Sequence, residues 1–267
     1  MRAPALACDC HIHVFGPYAR YPLAAERKYT PDEALVPDYL KVASALGTGR
    51  VILVQPSVYG TDNECQLDAV HALQEHARGV AVIDPDVEDR ALDRLCGAGF
   101  VGARLNMMRA GSLDDLERVA TRVEPLGWHL QLHLAGPWLP EIAARLLKLP
   151  VEFVIDHFGR VDARLGVDQP AFQALLRLVD SGRCWVKLSA PYLADKDGAP
   201  YRRVAPFARA LVRHNPERMV WGTNWPHPDQ AVVPENPGLL DALADWVPDE
   251  TLRNRILVEN PAKLYRF

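Results

Sequence analysis

The sequence predicts a (β/α)8 barrel, on three observations. Eight short apolar runs alternate with amphipathic stretches along 267 residues. Several runs are almost continuously hydrophobic, as parallel strands covered on both faces are. Polar and ionisable residues follow those runs, at the edge where a parallel barrel carries its active site. An open doubly wound sheet would show a Gly-rich phosphate loop after an early strand, and the chain has none. Residues 1–267 are therefore expected to form one barrel domain with long βα loops at its C-terminal mouth.

The strands are expected at Ala7–His11, Arg50–Gln55, Gly79–Asp84, Val101–Asn106, Trp128–Leu134, Val151–His157, Cys184–Ser189 and Met219–Thr223. Most combine β-branched or aromatic residues with a polar residue at or next to the end. Between them, Pro37–Leu46, Asn63–Glu75, Glu88–Ala98, Leu113–Leu126, Leu139–Leu149, Gln169–Ser181 and Arg203–His214 space apolar residues three and four apart, the period of a helix with one buried face. Gly238–Trp246 and Asp249–Val258 close the chain, with Asp249 placed as an N-cap. Three connections are long: 15–36, 159–169 and 225–237. Long ordered loops in a compact domain are often lids or binding loops.

Composition narrows the function. A net charge of −4 and a pI near 6.1 imply no basic surface for nucleic acid. No apolar run approaches the roughly 20 residues of a membrane span. Cys8, Cys10, Cys65, Cys96 and Cys184 form no C-x-x-C pair and are odd in number, which fits reduced thiols in a cytoplasmic protein. Arginine outnumbers lysine, which suits forked grips on carboxylates and equally suits a GC-rich genome. A homo-oligomer is compatible with all of this.

The most informative pair is His11 and His13. Residues two apart on a strand point to one side, so an H-x-H at a strand end aims two imidazoles at one point. Alternation would put Asp9 on that face and Cys8 and Cys10 on the other. Two convergent imidazoles can hold a metal or share a proton. The other strand ends add Gln55, Ser57 and Tyr59; Asp84; Arg104, Asn106 and Arg109; His133; Asp156, His157 and Arg160; Lys187, Ser189 and Tyr192; and Asn224 and His227. Burying that many polar groups without partners is costly, so together they point to a catalytic mouth. His71, His76, His129 and His214 lie on helices or at strand starts and are expected to pack or face solvent.

Five blocks carry a family resemblance: Asp9-Cys10-His11-Ile12-His13-Val14-Phe15-Gly16-Pro17, Val54-Gln55-Pro56-Ser57-Val58-Tyr59-Gly60, Ile155-Asp156-His157-Phe158-Gly159-Arg160, Trp185-Val186-Lys187-Leu188-Ser189 and Trp221-Gly222-Thr223-Asn224-Trp225-Pro226-His227-Pro228. In this order they resemble the amidohydrolase superfamily. The branch they are similar to contains 2-pyrone-4,6-dicarboxylate lactonase, 4-sulfomuconolactone hydrolase and D-galactarolactone isomerase. The resemblance implies hydrolysis of a small anionic, carboxylated lactone in aromatic or sugar-acid breakdown. It makes His11, His13, His157 and Asn224 the catalytic candidates, the three imidazoles surrounding the lactone carbonyl. Arg104, Arg109 and Arg160 would bind substrate carboxylates. Gln55, Ser57, Tyr59, His133, Tyr192 and His227 complete the candidate substrate-binding set.

Three positions depart from the pattern. Asn224 stands where the family carries an Asp that deprotonates water, and an amide cannot do that at neutral pH. A lactone isomerase, in which a substrate hydroxyl attacks instead of water, is the alternative it suggests. His133 stands where pyrone lactonases offer a tyrosine, and Leu193 where they offer an arginine. No metal is expected to be required. The alternative is one divalent ion such as Zn²⁺ on His11, His13, His133 and His157.

Overall fold

The computed structural model describes residues 1–109 and 111–267. Eight parallel strands pair in chain order: β1 (Cys8–Ile12), β2 (Arg50–Val54), β3 (Ala77–Ala81), β4 (Phe100–Asn106), β5 (His129–His133), β6 (Phe153–Ile155), β7 (Cys184–Ser189) and β8 (Met219–Gly222). Helices α1 (Val36–Leu46), α2 (Glu64–Leu73), α3 (Asp89–Gly97), α4 (Leu116–Val123), α5 (Leu139–Leu146), α6 (Pro170–Asp180), α7 (Ala205–His214) and α8 (Asn236–Trp246) follow the strands in turn. The (β/α)8 architecture read from the alternation is the one observed.

The ring closes just beyond β8. Asn224 N donates to His11 O at 2.8 Å and His13 N donates to Trp225 O at 2.8 Å. Gly222 permits this approach, since a Cβ there would stand 2.7 Å from His11 N. Closure therefore brings the H-x-H segment and Asn224 side by side.

Two apolar layers hold the barrel. The inner layer packs Cys8, Cys10, Val54, Val154, Trp185 and Val220, and Tyr265 plugs its lower end. The outer layer seats the helices on the strands. His129 belongs to the lower end, 5.4 Å from the Tyr265 ring. All five cysteines are free. No helix among the described residues is long and apolar enough to cross a membrane.

Four elements differ from expectation. β3 begins two residues earlier and stops at Ala81, because the Asn63 side chain takes over the next backbone groups: Val82 N donates to Asn63 Oδ1 at 3.0 Å and Asn63 Nδ2 donates to Val82 O at 2.8 Å. Asp84 is thereby carried outside the mouth. The expected helix 113–126 is an α-helical segment with a tight turn at each end, the second opened by Pro125 and closed by Gly127 at φ +60°. The last helix, capped by Asp249 Oδ1 on Leu252 N at 3.0 Å, runs beyond Val258 through a wide π turn to Tyr265.

β1 is the fourth difference. Its pairing with β2 shifts register between Asp9 and Ile12, a β-bulge. The bulge breaks the expected alternation. Cys8 and Cys10 face the barrel interior, Asp9 turns outward, and His11 returns to the interior. Asp9 accepts from Thr223 Oγ1 at 2.6 Å and Thr223 N at 2.8 Å, beneath Tyr39 of α1.

Candidate active site

The mouth contains a pocket of about 490 Å³, lined in part by His13, Ser57, Arg104, Asn106, His133, His157, Arg160 and Asn224. His11, His13 and His157 come together, with ring centroids 5.0 Å apart for His11–His13 and 4.6 Å for His11–His157. All three are at most 3% exposed. His133 stands 5.1 Å from His157 on the other side.

Each imidazole is oriented by a partner. His13 Nδ1 lies 2.6 Å from Val54 O, which can only accept, so the proton sits on Nδ1 and Nε2 keeps its lone pair. His157 Nδ1 lies 2.8 Å from Ser189 Oγ. His11 Nδ1 lies 3.3 Å from the Lys187 ammonium, which has no lone pair to offer. Asp156 Oδ1 lies 3.5 Å from the same nitrogen, and His11 Nε2 has no hydrogen-bond partner. Asp156 Oδ1 and the pocket-lining Asn106 Oδ1 are likewise buried without a hydrogen-bond partner, and such unpaired polar atoms gathered at one place mark room for a bound group.

Beneath the imidazoles lies a buried ionic layer. Asp156 Oδ2 accepts from Arg104 Nη2 at 3.2 Å, Arg104 Nε at 3.3 Å and Gln131 Nε2 at 3.1 Å. Lys187 Nζ donates to Cys10 O and Gln131 Oε1, both at 2.8 Å, and stands 3.7 Å from Asp156 Oδ1. Burial would raise the Asp156 carboxyl, but His11, Lys187 and Arg104 hold it well below the usual carboxylate range. Burial pulls Lys187 down to about 8, against the attraction of Asp156. Burial lowers His13 and His157 to about 3, with the Arg104 charge acting the same way. Burial, then the neighbouring cations, also holds His11 and His133 well below their ordinary value. The imidazoles are therefore neutral near pH 7.

The backbone at the mouth is unusual. His157, Phe158, Gly159 and Arg160 all have positive φ, between 47° and 64°, one turn in the left-handed region. Non-glycine residues pay roughly 1–2 kcal/mol each for that conformation. The turn delivers His157 and Arg160, three residues apart, to the same pocket. A Cβ on Gly159 would meet Leu139 Cδ1 at 2.9 Å, so that side chain would have to shift. Asn224 and His227 also have positive φ, at 67° and 63°. Strain held at several strand ends around one cavity is typical of functional sites.

The arginines are not equivalent. Arg104 spends Nε and Nη2 on Asp156 and is 3% exposed. Arg109 pairs with Asp229 and lies over the Tyr29 ring at 5.2 Å, tying two of the long loops to the connection after β4. Arg160 meets only His133 Nε2, at 3.4 Å, among the described hydrogen bonds. It is the guanidinium most open to a ligand carboxylate.

Gln55 and Tyr59 do not line the pocket. Gln55 Nε2 braces the next loop through Gly60 O and Asp62 O, and Tyr59 OH accepts from Gly16 N at 2.8 Å. Tyr192 and His227 reach the pocket through Asn224, whose Nδ2 donates to Tyr192 OH at 2.7 Å. Sequence reasoning placed Asn106, Asp156 and Lys187 at the mouth without giving them a role, and missed Tyr29 and Asp229. A lysine inside the apolar run Cys184–Ser189 was the available signal for the ionic layer, since a buried ammonium needs an acid.

His11, Asp156 and His157 form a His–Asp–His group whose ligand atoms lie within 4.8 Å of one another. His13 and His133 stand outside it, and both His133 nitrogens face guanidinium groups. The group fits a divalent ion poorly. An ion on His11 Nδ1 and Asp156 Oδ1 would displace the Lys187 ammonium, which stands 3.3 Å and 3.7 Å from those atoms. An ion on His11 Nε2 would put the proton on Nδ1, 3.3 Å from that ammonium and 3.5 Å from Asp156 Oδ1.

The family model described as amidohydrolase matches residues 8–267. The chain is 37% identical to a 4-sulfomuconolactone hydrolase of Hydrogenophaga intermedia, over 98% of this chain and 89% of that one. It is 36% identical to a 2-pyrone-4,6-dicarboxylate hydrolase of Comamonas testosteroni, over 99% and 91%. It is 34% identical to a D-galactarolactone isomerase of Agrobacterium fabrum, over 99% and 92%.

Proposed function

Since the chain belongs to the amidohydrolase family, we propose that it is an enzyme that hydrolyses a small carboxylated lactone at the ring carbonyl. One observation carries this reading: the buried neutral imidazoles of His13, His133 and His157, with His11 packed against two of them, line a pocket whose walls hold Arg104, Arg109 and Arg160.

In this reading the His157 imidazole, packed against His11, polarises the carbonyl. Such a donor is worth about 3–4 kcal/mol to a developing oxyanion. Arg160 binds a carboxylate and fixes the ring against the histidines. Water oxygen bonds to the carbonyl carbon, and the bond from that carbon to the ring oxygen breaks. One water proton ends on the ring oxygen; the other leaves the new carboxylic acid to solvent. His13 Nε2, with a free lone pair, is the acceptor nearest to hand for a proton in transit.

The Arg160→Met variant tests the clamp. Its KM for a carboxylated lactone should rise at least about tenfold, with a far smaller rise for the neutral methyl ester. Equal changes for both substrates would remove Arg160 from carboxylate binding.

Catalysis needs no metal in this reading, because Lys187 and Arg104 already neutralise Asp156. A bound divalent ion would supply a Lewis acid and an activated water. Exhaustive dialysis against EDTA should leave kcat/KM within about twofold, and metal analysis should find no stoichiometric ion. Loss of activity that zinc restores would overturn the metal-free reading.

Asn224 favours a second reading, a lactone isomerase. A substrate hydroxyl would attack the carbonyl, its proton passing to the departing ring oxygen, and the product would keep the substrate's mass. Hydrolysis adds one water, so mass spectrometry of the product separates the two.

A further inference from the structure

Asn224 is the pocket end of a hydrogen-bonded chain that runs out of the site. Asn224 Nδ2 lies 2.7 Å from Tyr192 OH, Tyr192 OH lies 3.1 Å from His227 Nδ1, and His227 Nε2 lies 2.9 Å from Asn236 Oδ1. Tyr192 follows β7, His227 lies in the long loop after β8, and Asn236 opens α8. The far end is half-buried, whereas Asn224, Tyr192 and His227 are buried.

With every donor paired inside this chain, the protons can run in two orders. A neutral imidazole has one N–H, and a phenol has one O–H. Burial lowers His227 to about 4, and burial pushes the Tyr192 phenol far up, so both stay in those forms near neutral pH. If Asn236 Oδ1 accepts, His227 carries its proton on Nε2. His227 Nδ1 then accepts from Tyr192 O–H, and the phenol oxygen accepts from Asn224 Nδ2. Asn224 Oδ1, which makes no hydrogen bond among the described residues, is then the atom offered to the pocket. In the reverse order every bond flips, and Asn224 offers its NH₂ instead.

We propose that Tyr192, His227 and Asn236 are positioning residues that hold Asn224 with its carbonyl oxygen toward the ligand, so that the site receives a hydroxyl-bearing nucleophile. The oxygen accepts a hydrogen bond from the attacking hydroxyl and orients it without taking its proton. An NH₂ in that place would donate to the nucleophile's lone pair and blunt the attack. The inference rests on the lactone reading for its kinetic consequence, and on hydrogen-bond geometry alone for the proton order.

The test has two arms. In protein carrying ¹⁵N-histidine, with His227→Gln to assign the signal, His227 should show a protonated Nε2 and an unprotonated Nδ1. The opposite tautomer would overturn the proposal. In kinetics on a carboxylated lactone, Tyr192→Phe and Asn236→Leu should each lower kcat about tenfold with KM within about twofold. Asn236→Asp, which can only accept, should restore most of the rate lost in Asn236→Leu; a rate as low as the leucine variant's, in folded protein, would also overturn it. If the native enzyme opens or rearranges no lactone, the lactone reading fails, and the tautomer still decides the proton order.

Discussion

Replacing His157 by alanine is expected to lower kcat/KM for a carboxylated lactone about 10²–10³-fold, almost all of it in kcat. His157 is 1% exposed, lines the pocket, and is held by Ser189 Oγ at 2.8 Å. A neutral imidazole in that setting serves the developing oxyanion more than the ground-state carbonyl, so its loss falls on the chemical step. Ser189 is left without its partner, which costs about 1–3 kcal/mol of stability and should be visible as a lowered Tm. His129 supplies the control. It is equally buried, but it packs on Tyr265 at the closed end of the barrel. His129→Phe should therefore change Tm and leave kcat/KM within about threefold, since nothing there touches a ligand. A His157→Ala enzyme within that same range would take His157 out of the chemistry.

Much of this site was legible in the chain because a parallel barrel converts sequence order into spatial convergence. Apolar runs locate strands, and the residues that follow them must meet at one mouth. His11, His13, Arg104, His133, His157, Arg160 and Asn224 were found that way. What escaped depends on single side chains acting across the fold. The end of β3 is set by an amide on Asn63 rather than by residues of the strand itself. The bulge in β1 cannot be read from alternation, since the rule it breaks is the one used to read it. Tyr29 and Asp229 come from long loops without periodicity, and Arg109 gathers them through charge and ring contact. Gln55 and Tyr59 sit at a strand end as predicted, but spend their polar groups on backbone. Strand-end position gives access to the mouth, and competing hydrogen bonds decide which side chains keep a free group there.

Asn224→Asp should raise the rate of lactone hydrolysis at least about tenfold, because a positioned general base is typically worth 10²–10⁴-fold. The new carboxylate occupies a pocket-lining position between His11, whose carbonyl holds its backbone N–H, and Tyr192. The gain should fall short of the full range for a reason the hydrogen-bond chain supplies. A carboxylate cannot donate to Tyr192, so the phenol must turn its proton toward residue 224. His227 must then carry its proton on Nδ1, and Asn236 must present its NH₂ to Nε2. Asn236 can do this by turning its amide, whereas Asn236→Asp cannot. The double variant Asn224→Asp/Asn236→Asp should therefore show less hydrolysis than Asn224→Asp alone, a non-additive result for residues linked through two others. Hydrolysis in Asn224→Asp should also acquire an acid limb, rising with pH as the carboxyl ionises, which the amide enzyme has no group at 224 to produce. If the native enzyme isomerises its lactone, the variant should divert product to the ring-opened hydroxy acid, one water heavier. A folded Asn224→Asp enzyme that binds the lactone and hydrolyses it no faster than the native one would place the proton acceptor elsewhere, with His13 Nε2 next in reach of the same pocket.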